Sequence, residues 1–185
     1  MRRLNDGQFG RDAEDRFDFA IIPCSLEKAW DRPGVQGPLP ARLAYRSPLF
    51  VAAQRLAAAR AAQTLILSAL HGLMDDEQSV PGPYDVTFTR PTDPVVQAAT
   101  LRRQAEALGL LRPGATALHI LPDDYAARLV EAIGPAALAS PNLLRGVALA
   151  DLETMHQRCL AALSTAAKVA RRAVSPRPAA SGQAE

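Results

Sequence analysis

The sequence predicts an α/β fold with three layers, in which helices cover both faces of a small, mainly parallel central sheet. Three short apolar runs indicate buried strands, at residues 17–22, 64–67 and 116–121. Each run is apolar on both sides instead of alternating, which is typical of parallel strands covered on both faces. Helical patterns separate the runs, and this alternation of strand and helix favours a parallel sheet.

Two further stretches are weaker strand candidates. Residues 84–89 alternate in polarity and contain β-branched side chains, which predicts a strand at an edge of the sheet. Residues 142–149 are predicted to add another short piece of strand.

The helices have recognisable start signals. Short polar side chains that cap a first turn precede each apolar helical pattern, in two cases with proline at the first helical position. The predicted caps are Ser47 and Asp93, each followed by proline, then Asp123 or Asp124, and Asp151. Gly109 and Gly134 are predicted to end the second and third of these helices.

Length and composition indicate one folded domain. Residues 1–16 are predicted to be a flexible leader, residues 17–170 a single α/β domain, and residues 171–185 a disordered tail. A net charge of +2 neither requires nor excludes a nucleic-acid partner. Two cysteines are too few for a disulfide framework, and no apolar run could span a bilayer, so we expect a cytoplasmic protein without a membrane partner. The oligomeric state stays open.

The rarest residues of the chain are concentrated in one string, Pro23-Cys24-Ser25-Leu26-Glu27-Lys28-Ala29-Trp30. This string holds one of two cysteines, one of two lysines and the sole tryptophan. Nearly all other basic residues are arginines, so Lys28 indicates a position that needs a compact ammonium group.

Polar clusters follow the predicted strands where each strand ends. Cys24 and Ser25 follow the first strand, Ser68 and His71 follow the second, and residues 122–125 follow the third. Open α/β sheets bind ligands beyond the carboxyl ends of their strands, so we expect these clusters to share one edge. The stretch 82–87 comes soon enough after the second cluster to fold over it.

Each of these residues also has a structural interpretation. Cys24 suits a small buried position as well as a nucleophile, and Ser25 suits a turn. Lys28 would be either a solvated cation or a contact for an anion. His71 is a candidate general acid or base, or a loop histidine bonded to backbone. Asp85 suits a cap, a turn or a catalytic carboxylate.

Some candidates are assigned structural roles from the sequence. His119 is predicted to be a buried strand histidine, and His156 a residue of the last helix. The three histidines lack metal-ligand spacing, so no metal and no cofactor is predicted. Trp30 is as well suited to packing as to stacking on a base.

The motifs together resemble an uncharacterised bacterial and phage domain family. The resemblance extends over residues 21–87 and rests on PCS-x-x-K-x-W, Y-x-SPLF, ILSA-x-H-G-L and PYD-x-T. That family is in turn similar to the YaaA-like peroxide-stress proteins and to the C-S-x-x-K domain of archaeosine synthases. Both have been linked to the uracil-DNA glycosylase type of α/β fold and to nucleic-acid or modified-base chemistry.

The resemblance implies a set of site residues. As catalytic residues it implies His71 and Asp85, and as substrate-binding residues Cys24, Ser25, Lys28, Ser68, Gly72, Tyr84 and Thr87. Family members often have Lys-Tyr where this chain has Leu70-His71, which puts any role of that lysine in doubt here. No helix-hairpin-helix is recognisable, so the DNA-binding element of YaaA-like proteins is not expected.

Three functions remain open from the sequence. The first is a domain that processes a nucleotide, a nucleobase or nucleic acid, acting at a glycosidic bond. The second is a non-catalytic module that binds a nucleotide or nucleic acid in stress response or phage defence. The third is a thiol-dependent hydrolase with Cys24 as the nucleophile.

Overall fold

A computed structural model describes residues 16–134 and 141–174, with side chains up to residue 170. Its strands are β1 (Phe17–Pro23), β2 (Leu39–Pro40), β3 (Ala61–Ser68), β4 (Gly72–Asp75), β5 (Ser79–Val80) and β6 (Ala117–His119). Its α-helices are α1 (Ala41–Ala44), α2 (Pro48–Arg60), α3 (Ala98–Ala107), α4 (Asp123–Ile133) and α5 (Leu152–Val174). One turn of 3-10 helix covers Ala29–Asp31.

The central sheet has four strands in the order β4-β3-β1-β6. Strands β3 and β6 both run parallel to β1, and β4 is antiparallel to β3. Strands β2 and β5 form a separate antiparallel ladder of two residues each. The mainly parallel sheet that the apolar runs predict is therefore confirmed.

Alternate residues of β1 enter two separate hydrophobic cores. Ala20 and Ile22 belong to a core that includes buried side chains of α2 and α5. Phe19 and Ile21 belong to the other, which includes buried side chains of α3 and α4. Because successive side chains of a strand point to opposite faces, the two cores lie on the two faces of the sheet. This arrangement is the predicted three-layer α/β/α fold.

The expected edge strand at residues 84–89 is wrong, since this stretch has irregular structure. Its polar groups bind within the loop instead of to a neighbouring strand. The backbone N–H of Thr87 donates to Asp93, and the Arg90 guanidinium donates to both Asp85 and Asp93. Loop contacts of this kind are not visible in a pattern of alternating polarity.

The expected strand at residues 142–149 is also wrong, because only Asn142 forms a β-bridge, with His119. His119 donates its N–H to Pro141 and accepts from Leu143, both at 2.9 Å. The amide side chain of Asn142 then exchanges two hydrogen bonds with the backbone of Leu121. The Asn142 side chain therefore extends the hydrogen bonding beside β6 by one residue, and the chain after residue 142 forms turns instead of a strand.

Two of the predicted helix caps are confirmed. Ser47 accepts a hydrogen bond from the N–H of Phe50 at 3.1 Å, with proline next to it at the first helical position. Asp151 accepts from the N–H of Thr154 at 3.1 Å, at the start of α5. Gly134 ends α4 as predicted.

The other predicted caps are wrong. Helix α3 begins at Ala98, because the carboxylate of Asp93 is occupied by loop residues. Asp123 and Asp124 lie inside the first turn of α4, where their carboxylates bind backbone N–H groups of the segment 146–149. The donors to Asp93 come from the preceding loop, and those to Asp123 and Asp124 come from a segment more than 20 residues further along the chain.

The boundaries of the domain fall partly outside the described residues. The predicted leader lies there except for residue 16, and so do residues 175–185 of the predicted tail. Helix α5 ends at Val174, past the predicted start of the tail at 171. Among the residues that the structure describes, no helix is long and apolar enough to cross a bilayer. A cytoplasmic location stays a prediction.

Candidate functional site

The loops that follow β1 and β3 leave the sheet side by side, at the carboxyl ends of these two parallel strands. Pro23 pairs with Leu67 in the parallel register, and the N–H of Cys24 donates to the carbonyl of Leu67 at 3.0 Å. The predicted convergence of the first two polar clusters on one edge is therefore observed. A short turn then leads from Ser68 into β4, and this turn carries His71.

A chain of three hydroxyl groups lies at this edge. The hydroxyl of Tyr84 is 2.7 Å from that of Ser68 and 2.7 Å from that of Tyr45. Ser68 also accepts hydrogen bonds from the N–H groups of Leu70 and His71, at 3.2 and 3.0 Å. Because these two bonds use both acceptor positions of the Ser68 oxygen, its own proton is donated to Tyr84. The chain thereby holds Tyr84 and the turn that bears His71 together.

Lys28 is buried against the ring of Tyr84. Its Nζ lies 4.3 Å from the ring centroid, and 4% of the residue is exposed. Nζ also donates to the carbonyls of Ser25 and Leu26, at 3.3 and 3.1 Å. Burial lowers the pKa of Lys28, while the neighbouring Cys24 and acidic groups oppose that shift.

The contacts of Lys28 use all of its donors. An ammonium group has three N–H donors; two bind carbonyls, which leaves one for the ring face. Lys28 therefore holds the loop 25–28 against Tyr84. Its expected contact with a bound anion stays a prediction, and such an anion would have to displace one of these partners.

His71 also packs against the ring of Tyr84. The centroids of His71 and Tyr84 are 4.9 Å apart, with the planes at 89°. The Nε2 atom of His71 is buried and has no hydrogen-bond partner among the described residues. Burial, followed by the charge of Lys28, lowers the pKa of His71 below its ordinary value of 6.5, so the imidazole is neutral at neutral pH.

Gly72 and Gln104 hold the backbone around His71. The Gln104 amide donates to the carbonyl of His71 at 2.8 Å and accepts from the N–H of Leu73 at 2.9 Å. A Cβ at residue 72 would lie 2.0 Å from the Gln104 oxygen, and the φ angle there is +81°. The positive φ therefore favours glycine at this position, and a larger residue would also displace the Gln104 amide. The expected part of Gly72 in substrate binding stays a prediction.

Two adjoining depressions open beside Tyr84. The larger has a volume of about 400 Å³ and reaches Lys28, and the smaller, of about 320 Å³, reaches His71. Pro83 and Tyr84 line both. We call the two depressions together the Tyr84 cleft. Volumes of a few hundred Å³ suit small-molecule ligands.

Carboxylates surround the larger depression. Three of them line it, from Glu27, Asp31 and Asp85. Arg90 binds both oxygens of Asp85, at 2.9 and 3.1 Å, and these hydrogen bonds lower the pKa of that carboxyl. Asp31 accepts from the backbone N–H of Lys28 at 2.7 Å. A catalytic role for Asp85 stays a prediction, although the ion pair makes it a weak base.

The remaining candidates lie beside the Tyr84 cleft without lining it. Cys24 is partly buried between the two cores, with Sγ 3.4 Å from the hydroxyl of Tyr125. Ser25 is buried in the turn, where it donates to the carbonyl of Glu27 at 2.6 Å. The Thr87 hydroxyl binds that of Thr89 at 3.0 Å. Their expected roles in substrate binding stay predictions without a contact to support them.

Several residues that shape the site are not among the predicted site residues. Tyr45 is the tyrosine of the Y-x-SPLF motif, two positions before the capping Ser47. That position in the motif is the one feature of the sequence that could have pointed to a role for its hydroxyl in the site. Gln104 is one of several polar residues on α3, and nothing in its spacing separates it from the others. Arg90 follows Asp85 by five positions, which no helical or strand period connects. Trp30 donates from Nε1 to the carbonyl of Gly37 and packs against a core, so it is a packing residue here.

No metal site is formed by the described part of the chain, since no three His, Cys, Asp or Glu residues there are placed to hold an ion. His119 and His71 each have one buried ring nitrogen that lacks a hydrogen-bond partner in those residues. His119 lies at the end of β6 and His71 in the turn between β3 and β4, so the two histidines lie in different parts of the sheet.

The fold and the site define an α/β domain with a candidate ligand cleft at the carboxyl edge of its parallel strands. The chain belongs to DUF6884, a family of unknown function, whose family model matches residues 20–136. Over 89 residues it is 40% identical to the uncharacterised protein YfjM of Bacillus subtilis strain 168. That match covers 48% of this chain and 59% of YfjM, so the chain covers less than two thirds of the relative's length.

These similarities confirm membership of an uncharacterised bacterial family. The resemblance to YaaA-like proteins and to archaeosine synthases stays a prediction.

We expect Tyr84→Phe to lower the free energy of unfolding by about 2 kcal/mol, because it leaves the buried hydroxyls of Ser68 and Tyr45 without their shared partner. Urea unfolding measures the loss. Tyr125→Phe is the matched control, since that hydroxyl contacts a sulfur atom alone among the described residues, and a smaller loss is expected. Equal losses in the two variants would contradict the importance of the hydroxyl chain.

Proposed function

We propose that this chain binds a nucleobase-bearing ligand in the Tyr84 cleft and processes it at the glycosidic bond. The ligand is a nucleotide, a nucleoside or an exposed base of nucleic acid. The single observation that carries the proposal is that Lys28 and His71 both contact the Tyr84 ring. This arrangement opens into a cleft at the sheet edge where α/β folds bind ligands.

His71 is the residue that we propose to act on the ligand. The imidazole of His71 is neutral, and to act as the base it would turn on ligand binding so that an attacking water molecule reaches Nε2, which is buried here and has no hydrogen-bond partner among the described residues. The water oxygen bonds to the anomeric carbon while its proton passes to His71. The bond from that carbon to the base nitrogen breaks with its electron pair on the base, and the base takes up a proton that His71 returns directly or through water. In this proposal Asp85, which is bound to Arg90, orients the ligand.

The sequence motifs support the same chemistry. The PCS-x-x-K-x-W and ILSA-x-H-G-L motifs resemble those of an uncharacterised family, which in turn is similar to YaaA-like proteins and to the archaeosine synthase domain, both linked to modified-base chemistry. Cys24 and Lys28 come from the first motif, and Ser68 and His71 from the second. These are the residues that meet around Tyr84 or lie next to it.

A non-catalytic binding module is the second candidate. The ion pair between Asp85 and Arg90 favours it, because it removes the carboxylate that would otherwise be the obvious base. Such a module would recognise the same ligands in stress response or phage defence without turnover. The two candidates share the cleft and differ in whether the glycosidic bond breaks.

The test begins with native mass spectrometry of freshly purified protein, to identify a bound base, nucleoside or nucleotide. Titration calorimetry then measures its affinity for wild type and for Lys28→Met. We expect about tenfold weaker binding for Lys28→Met, because the loop 25–28 loses its attachment to Tyr84. Lys168→Met is the matched control, since Lys168 is exposed on α5 and is the other lysine of the chain.

Chromatography of the incubated ligand separates the two candidates. Release of free base by wild type and not by His71→Gln supports processing. Tight binding without release supports the binding module and contradicts processing. Binding that is equal in wild type and Lys28→Met would contradict both.

A further inference from the structure

We propose that the larger depression of the Tyr84 cleft admits an uncharged base or nucleoside and excludes phosphate groups. This inference rests on the proposed function and narrows its substrate class. Any phosphate on the ligand would have to remain outside the depression. The inference rests on the charges that line the depression and on the contacts that already occupy Lys28.

The charge of the lining is the first observation. Glu27, Asp31 and Asp85 contribute three carboxylates, against the cations of Lys28 and of Arg90, which is paired with Asp85. The immediate surroundings of the depression are therefore net negative. A triphosphate entering here would meet like charges, and at low ionic strength salt screens that repulsion only partly.

The occupied state of Lys28 is the second observation. Phosphate sites in proteins depend on donors that are available to the oxygens. The Lys28 ammonium faces two carbonyls and the Tyr84 ring, and its residue is 4% exposed. The cation nearest to the ligand is therefore already engaged with the protein.

The remaining lining suits a base. The carboxylate of Glu27 has no hydrogen bond or ion pair with any described residue, so its oxygens are available as acceptors. Exocyclic amino groups and ring N–H groups of nucleobases are donors that carboxylates accept. Leu26, 75% exposed, and Pro83 supply an apolar wall for the flat face of a ring. The structure thus favours bases that carry an amino group.

The experiment compares nucleosides with their own phosphates. Titration calorimetry of the full chain is carried out with adenosine, cytidine and guanosine and with the mono- and triphosphate of each, at low and at high salt. We expect the best-bound nucleoside to bind about tenfold more tightly than its triphosphate at low salt. The difference should narrow at high salt, because added ions screen the repulsion.

Two variants locate the effect. Glu27→Gln removes one carboxylate from the lining and should reduce the difference between nucleoside and triphosphate by about threefold. Glu131→Gln is the matched control, because Glu131 is on α4, pairs with Arg128, and lines neither depression. An equal effect of the two variants would contradict the assignment to the depression.

The possible failures are distinguishable. If the triphosphate binds as tightly as the nucleoside or more tightly at low salt, the inference is wrong and the proposed function stands. If none of the nine ligands binds and none co-purifies, the proposed function is wrong and the inference with it.

Discussion

Gly72→Ala is expected to lower the free energy of unfolding by about 3 kcal/mol. A left-handed φ angle accounts for about 1–2 kcal/mol of this in a non-glycine residue. The rest comes from Gln104, because the new Cβ would occupy the position of its side-chain oxygen. The displaced amide would lose its bonds to the backbone of His71 and Leu73, at about 1 kcal/mol each. Urea unfolding measures the total.

A double-mutant cycle separates the two contributions. Gly34→Ala is the matched control, since φ there is +86° and no atom lies within 4 Å of the added Cβ. It should cost about 1–2 kcal/mol through the backbone alone. In a Gln104→Ala background, Gly72→Ala should cost no more than Gly34→Ala. If its cost is unchanged in that background, the close approach of Gln104 is not the cause.

The second large effect is a loss of stability in mild acid that depends on His119. This residue is 1% exposed in β6, and burial lowers its pKa to about 4 from an ordinary 6.5. Between these values the unfolded chain binds a proton at His119 and the folded chain does not. Stability is therefore complete above about pH 6.5 and falls as the pH drops towards 4, by up to about 3 kcal/mol.

The measurement is the free energy of unfolding at a series of pH values for wild type and for His119→Gln. Carboxyl groups such as that of Asp18 also titrate in acid, so the difference between the two proteins isolates the histidine. We expect a flatter profile for His119→Gln between pH 6.5 and 4. His156→Gln, on the partly exposed side of α5, is the matched control and should keep the wild-type slope. A wild-type slope in His119→Gln would rule out this origin.

The layers of the fold are predictable because they depend on local apolar patterning. The runs at 17–22 and 64–67 lie within β1 and β3, and the run at 116–121 contains β6. Predicted strands and caps are wrong where a polar side chain binds a backbone group outside the predicted element. The carboxylate of Asp93 accepts from the N–H of Thr87 instead of capping a helix. The side chain of Asn142 binds the backbone of Leu121 where a strand was predicted. Neither choice leaves a signal in the neighbouring sequence.

The candidate site is predictable in position more than in function. The rule that ligands bind at the carboxyl edge of parallel strands brings Ser68 and His71 beside the loop of Lys28, as observed. The hydroxyl chain through Tyr45 and the contact of Gln104 with the turn depend on side chains that meet only in the folded chain. The spacing of these residues along the sequence does not predict such hydrogen bonds between distant side chains and loops.

The pairing of Asn142 beside β6 has a consequence for how this protein behaves at high concentration. An open edge of a sheet can recruit a strand from another molecule and begin aggregation. Here the backbone groups of His119 and Leu121 that face this edge are already bonded to residues 141–143. The backbone of Pro141 and Leu143 and the Asn142 amide together therefore block the addition of a strand from another molecule at β6, away from the ligand cleft.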